Sequence, residues 1–113
     1  MKTSMYVIAE TDGQIVGMCA ACQDGILRSM YVHPDFQRHG IGRKLILEAI
    51  RIMKEDYKCS TINLETTSLI QKAVKFYESM GFKGKIGRPY SMFIGQSKPF
   101  PTIEFTLKLI DQN

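Results

Sequence analysis

The residues best suited to chemistry lie between positions 31 and 45, Tyr-Val-His-Pro-Asp-Phe-Gln-Arg-His-Gly-Ile-Gly-Arg-Lys-Leu. They read as a strand end, a polar loop with two glycines, and the start of an apolar helical periodicity. A helix start exposes backbone N–H groups that have no acceptor, together with the positive end of the helix dipole. Glycines allow a ligand to approach that backbone closely. Gln37, Arg38, His39, Gly40, Ile41 and Gly42, with Arg43 and Lys44 adding charge, therefore form a cradle suited to a pyrophosphate. The same spacing also describes a tight turn with a helix behind it. Two other phosphate motifs are excluded by residue identity: there is no G-x-x-x-x-G-K-[ST], and no G-x-G-x-x-G followed by an acidic residue about twenty positions later.

The elements that must position this loop follow from turn signals and periodicity. Residues 5–9 are a short apolar strand, Asp12-Gly13 is a hairpin turn, and residues 14–21 return antiparallel. Gln23-Asp24-Gly25 turns the chain into a third strand, 26–32, which stops at His33-Pro34. From Ile41 onward, Leu45, Ala49, Ile52 and Met53 share a stripe with Ile46 and Ile50 beside it, while Arg43, Lys44, Glu48, Arg51 and Lys54 take the other face. A β-branched run at 60–66 is a fourth strand. Thr67 or Ser68 caps a second helix with Leu69, Ala73, Phe76, Tyr77 and Met80 on one stripe, and Gly81 stops it. A fifth strand begins at Phe82, residues 84–101 are rich in loop formers, and residues 102–110 form the last strand. The predicted order is β-β-β-α-β-α-β-β in one α/β domain, residues 1–113, with a mixed sheet. Strands three and four, joined through a helix, are expected to run parallel by a right-handed crossover.

Composition narrows the class. The chain has 113 residues, 44% hydrophobic and 23% charged, which is ordinary for one globular domain. No apolar run approaches the ~18 residues of a membrane span, and the N-terminus lacks an export signal, so a soluble cytoplasmic protein without membrane partners is expected. Cys19, Cys22 and Cys59 are odd in number, which argues against a disulfide framework. Cys19 and Cys22 have C-x-x-C spacing but lack further ligands at metal spacing, and they lie in a strand rather than at a helix start. Packing in a sheet is the expectation, with no metal. The net charge of +4 is interspersed. It suits a phosphate-bearing cofactor as well as nucleic acid, and the nucleic-acid reading rests on composition alone.

Gln37-Arg38-His39-Gly40-Ile41-Gly42 matches the Gln/Arg-x-x-Gly-x-Gly/Ala signature of the GCN5-related N-acetyltransferase (GNAT) family, and Tyr31-Val32-His33-Pro34 resembles that family's preceding strand end. A second block, Ala73-Val74-Lys75-Phe76-Tyr77-Glu78-Ser79-Met80-Gly81-Phe82, is similar to its A-x-x-F-Y-x-x-x-G-F element. Together the two blocks extend the resemblance over most of the chain.

The resemblance implies a GNAT-like acyl-CoA N-acyltransferase fold that is N-terminally short, because the family usually begins with a further strand and helices that line the acceptor side. It implies acetyl-CoA as co-substrate and a primary amine, of a small molecule or peptide, as acceptor. The backbone of Met30, Tyr31 and Val32 would hold the pantetheine arm, and residues 37–44 the pyrophosphate. Strands three and four would splay to admit the cofactor. Tyr77 would protonate the leaving thiolate, for which a phenol pKa near 10 is suitable. On its residues alone, Tyr77 reads as core packing. The family's third-strand glutamate corresponds to Ile26, and its cofactor-contacting asparagine to Ile70. Glu65, at the end of the fourth strand, is the candidate base, and a solvated strand-end carboxylate is its other reading. His33 reads as structural and His39 as a phosphate donor. The aromatic segment 87–101 would shape the acceptor pocket, an excursion or a dimer contact. The alternative function is a non-catalytic acyl-CoA-binding or sensing module, and an uncovered sheet side leaves room for a homodimer.

Overall fold

The structure, a computed structural model, describes residues 3–37, 39–67, 71–86 and 102–109. Its elements are β1 (Ser4–Thr11), β2 (Gln14–Cys22), β3 (Leu27–Val32), a 3-10 turn (Pro34–Phe36), α1 (Ile41–Arg51), a π-helical turn (Ile52–Asp56), β4 (Thr61–Thr67), α2 (Gln71–Ser79), β5 (Lys83–Ile86) and β6 (Thr102–Lys108). The expected order of strands and helices is therefore observed. Hydrogen bonding divides the strands into two three-stranded sheets, β1-β2-β3 and β4-β6-β5. A parallel β3–β4 ladder is not among these pairings. The segment 87–101 and Ser68, Leu69 and Ile70, where the second helix is expected to begin, lie outside the described residues.

The chain forms two compact units. The first comprises residues up to Ile62 together with the end of the chain from Lys108. Its β1–β2 hairpin turns at Asp12 and Gly13, both at positive φ (49° and 76°), the backbone twist that a two-residue hairpin loop needs. One face of β2 packs on α1. Gly17 has no room for a side chain: a Cβ there would lie 3.0 Å from Ile41 Cγ2, 3.0 Å from Leu45 Cδ1 and 3.2 Å from the Tyr31 carbonyl. The Cys19 thiol donates to the Leu45 carbonyl at 3.7 Å. Helix α1 and its π turn bury Leu45, Ile46, Ala49, Ile52 and Met53, the stripe read from periodicity. Each of the leucine, isoleucine and methionine side chains contributes roughly 1.5–3 kcal/mol on burial. Cys19, Ala20, Ala21 and Cys22 are all buried in β2, the sheet packing expected of Cys19 and Cys22.

The second unit spans Asn63 to Leu107. Phe105, 1% exposed, lies in the β5–β6 register opposite Gly84, where a Cβ would come within 2.8 Å of its ring. Thr106 Oγ1 donates to Asn63 Oδ1 at 2.8 Å. Gly81 takes φ 93° after α2, the left-handed stop expected of it.

Candidate functional site

Strand β3 is the edge of its sheet, and its hydrogen bonds show which backbone groups are open. The His33 N–H donates to the Val16 carbonyl at 2.8 Å, and Tyr31 pairs with Met18. Backbone direction alternates along an extended strand, so Tyr31 and His33 turn their polar groups toward β2. Met30 and Val32 turn theirs to the free edge. Next to them the ladder breaks. Two steps on β2, Met18 to Ala20, oppose three on β3, Tyr31 to Arg28, and the extra residue is accommodated where Ser29 adopts φ 59°. A left-handed conformation is costly for a serine, and bulges of this kind bend a strand and re-aim its edge.

The chain leaves β3 through a braced turn. The His33 ring nitrogen Nδ1 accepts from the Asp35 N–H at 3.1 Å, and its ring meets Phe36 edge-on at 5.7 Å. This is the structural role expected of His33. The Gln37 amide reaches back and donates to the Val32 carbonyl at 3.2 Å. Gly40 then takes φ 77°, with nothing within 4 Å of where a Cβ would stand, and α1 begins at Ile41.

No side chain caps this helix start and no acidic residue sits in its first turn. Arg43 and Lys44 are exposed there instead. Cations beside the positive pole of a helix are unfavourable by a few tenths of a kcal/mol, an arrangement that an anionic ligand would reverse. His39 is exposed beside them, and Arg38 lies outside the described residues. Among the described residues, one short stretch thus presents the outward backbone of Met30, the outward N–H of Val32, the Gln37 brace on the Val32 carbonyl, the open space at Gly40 and the α1 N-terminus. These features match an extended amide-containing arm followed by a diphosphate.

Glu65 and Tyr77 belong to the second unit. Glu65 is exposed on β4. Tyr77 is 7% exposed, its ring 5.3 Å from Phe76, 5.9 Å from Phe82 and 5.6 Å from Phe105. Its ring therefore packs in the core, whatever the phenol also does. Sequence reasoning missed Ser29 and Gly17. A serine carries no signal of a left-handed backbone, whereas a glycine inside a strand does signal close approach.

The chain belongs to the acetyltransferase (GNAT) domain family, whose model matches residues 2–84. Among similar proteins, an N-alpha-acetyltransferase of Sulfurisphaera tokodaii is 27% identical over 93 residues, covering 69% of this chain and 56% of that protein. N-acetyltransferase 8 of Homo sapiens is 26% identical over 117 aligned positions, covering 96% of this chain and 51% of that protein. The chain thus spans about half the length of the curated relatives it matches. The fold is that of the ribosomal-protein-S18-alanine N-acetyltransferase of Escherichia coli, at TM-score 0.77 and 23% identity over 97% of this chain and 72% of that one. A Bacillus anthracis acetyltransferase in complex with acetyl coenzyme A matches at TM-score 0.77 and 25% identity, over 93% of this chain and 62% of that one.

Proposed function

We propose that this chain is an N-acetyltransferase that moves the acetyl group of acetyl-CoA to a primary amine of a small molecule or peptide by direct attack. The observation that carries this reading is the free β3 edge, with Met30 and Val32 facing outward, running without interruption into the uncapped start of α1. Met30 and Val32 bind the pantetheine arm through their backbone, while Tyr31 between them is held to β2 and positions both. Gln37, Arg38, His39, Gly40, Ile41, Gly42, Arg43 and Lys44 hold the pyrophosphate. The neutral amine attacks the thioester carbonyl, a C–N bond forms and the C–S bond breaks. Glu65 takes the proton lost by the amine, directly or through water, and Tyr77 supplies the proton gained by the departing thiolate. An outward N–H on the β3 edge supports the negative charge that develops on the carbonyl oxygen.

The relatives' names and the neighbour bound to acetyl coenzyme A support the choice of co-substrate. The free thiols suit a reducing cytoplasm. The exposed Met5, Tyr6 and Ile8 on the edge strand β1 support pairing with a second copy. Burial of the Tyr77 ring is the observation on the side of a second reading, acyl-CoA binding without turnover. One pair of measurements decides between them. Calorimetric binding of acetyl-CoA together with release of free CoA thiol in an amine screen establishes the transferase. Binding with no thiol released against any amine leaves the sensing module, and no binding at all removes both.

A further inference from the structure

A concavity of about 370 Å³ lies in the first unit and is lined by Ser4, Tyr6, Ala20, Cys22, Asp24, Arg28 and Ser29. It occupies the face of the β1-β2-β3 sheet opposite α1. Gly17 and Cys19 meet α1, so the alternating Ala20 and Cys22 point the other way, and their register partners Tyr6, Ser4 and Arg28 share that face. The volume is that of a small-metabolite site.

Its charge is set by one ion pair. Arg28 Nη1 and Nη2 donate to the two oxygens of Asp24 at 3.1 and 3.0 Å, and Asp24 Oδ1 also accepts the Ile26 N–H at 3.0 Å. The two partners are unequally exposed: the arginine side chain is 48% accessible and the aspartate 12%. Solvent, or a ligand, therefore meets the cation, while the carboxylate is turned inward and fixes the plane of the guanidinium. Asp24 takes two of the five N–H donors, and the exposed remainder of the guanidinium lines the concavity. Ser29 lines the same concavity and stands next to Met30, whose backbone faces the free β3 edge. Two strand residues, roughly 7 Å, separate Arg28 from that edge.

Resting on the acyl-transfer reading above, we infer that this concavity is the acceptor site and that Arg28, oriented by Asp24, selects amines that carry their own carboxylate. The carboxylate lies on the guanidinium, the amine points past Ser29 toward the β3 edge, and Tyr6, 59% exposed, offers a ring to an apolar side chain. Free amino acids have this chemistry. Polyamines do not, because they carry no carboxylate for the guanidinium to bind.

The test is a ¹⁵N-resolved titration of the protein with L-phenylalanine and with L-phenylalaninamide, run alongside acetyl-CoA calorimetry. The expected result is saturable shifts at Tyr6, Arg28 and Ser29 with the amino acid, at least tenfold weaker binding of the amide, and loss of that difference in Arg28→Gln. Arg28→Lys, which keeps the charge but loses the fork, should fall between. Equal titration by both compounds, or shifts from neither, overturns the assignment, and this comparison holds in the unmutated protein even where a variant fails to fold. Phenylalanine binding without acetyl-CoA binding supports the pocket and removes the acyl-transfer reading. Acetyl-CoA binding without phenylalanine binding removes the pocket and leaves that reading intact.

Discussion

The side-chain amide of Gln37 donates to the Val32 carbonyl across 3.2 Å, tying the polar loop back to the strand it has just left. Val32 lies on the edge strand β3, so this bond fixes the spacing between that strand and the turn that leads into α1. It is exposed, and a bond of this kind contributes about 0.5–1.5 kcal/mol. Gln37→Ala is expected to lower stability by no more than about 1 kcal/mol while weakening acetyl-CoA roughly five- to tenfold, read by calorimetry. Unchanged affinity would show that the loop holds its place without the brace.

Gly17 sets how closely α1 approaches the sheet. Its absent Cβ would lie 3.0 Å from both Ile41 and Leu45. Gly17→Val must push the first turn of α1 away from β2, a small-to-large change costing about 1–3 kcal/mol. A fall of roughly 4–8 °C in melting temperature per kcal/mol is expected in a domain of this size. Acetyl-CoA affinity should drop as well, because the turn that moves is the one carrying Gly42 and Arg43. A variant as stable as the parent would mean that α1 has slack the packing does not reveal.

Tyr77 separates two roles by two substitutions. Tyr77→Phe keeps the ring among Phe76, Phe82 and Phe105 and removes only the hydroxyl. Turnover should fall at least tenfold with acetyl-CoA affinity nearly unchanged, the pattern of a lost general acid. Tyr77→Ala empties a core position and should cost about 3–5 kcal/mol in denaturant unfolding. Full activity in Tyr77→Phe would leave the residue to packing alone.

Burial gives one pH dependence a definite sign. The Cys19 thiol is fully buried, and desolvation pushes its pKa from 9.0 up to about 11. The unfolded chain loses this proton first. Between pH 9 and pH 11 it therefore binds fewer protons than the native state, and stability falls as pH rises. The loss approaches about 2–3 kcal/mol across that window. Cys19→Ala, measured beside the parent by urea unfolding, should lack this share of the alkaline decline; parallel curves would contradict it.

Much of this was legible before any coordinates. The hairpin at Asp12-Gly13, the buried stripe from Leu45 to Met53 and the stop at Gly81 each depend on nearest-neighbour chemistry that residue type declares. The turn at Gly40 and the helix start at Ile41 were legible for the same reason, since both are local features. The bulge at Ser29 was not, because a ladder mismatch belongs to two strands at once and serine favours no left-handed backbone. The Arg28–Asp24 pair was also hidden, because its value lies in which partner faces outward. Tyr77 stood between core and chemistry in the sequence, and its phenylalanine neighbours show that the ring serves the core.

The order in which the strands are joined bears on how the molecule forms. In the β1-β2-β3 sheet every neighbour in space is the next strand in the chain, linked by a short turn. The other sheet places β6 between β4 and β5, so a strand starting at Thr102 must find one that ended at Thr67. Closing a long stretch of chain costs more entropy than closing a hairpin, and local pairings form sooner. The meander and the helix packed on it should therefore acquire protection from hydrogen exchange before the strands of the β4-β6-β5 sheet.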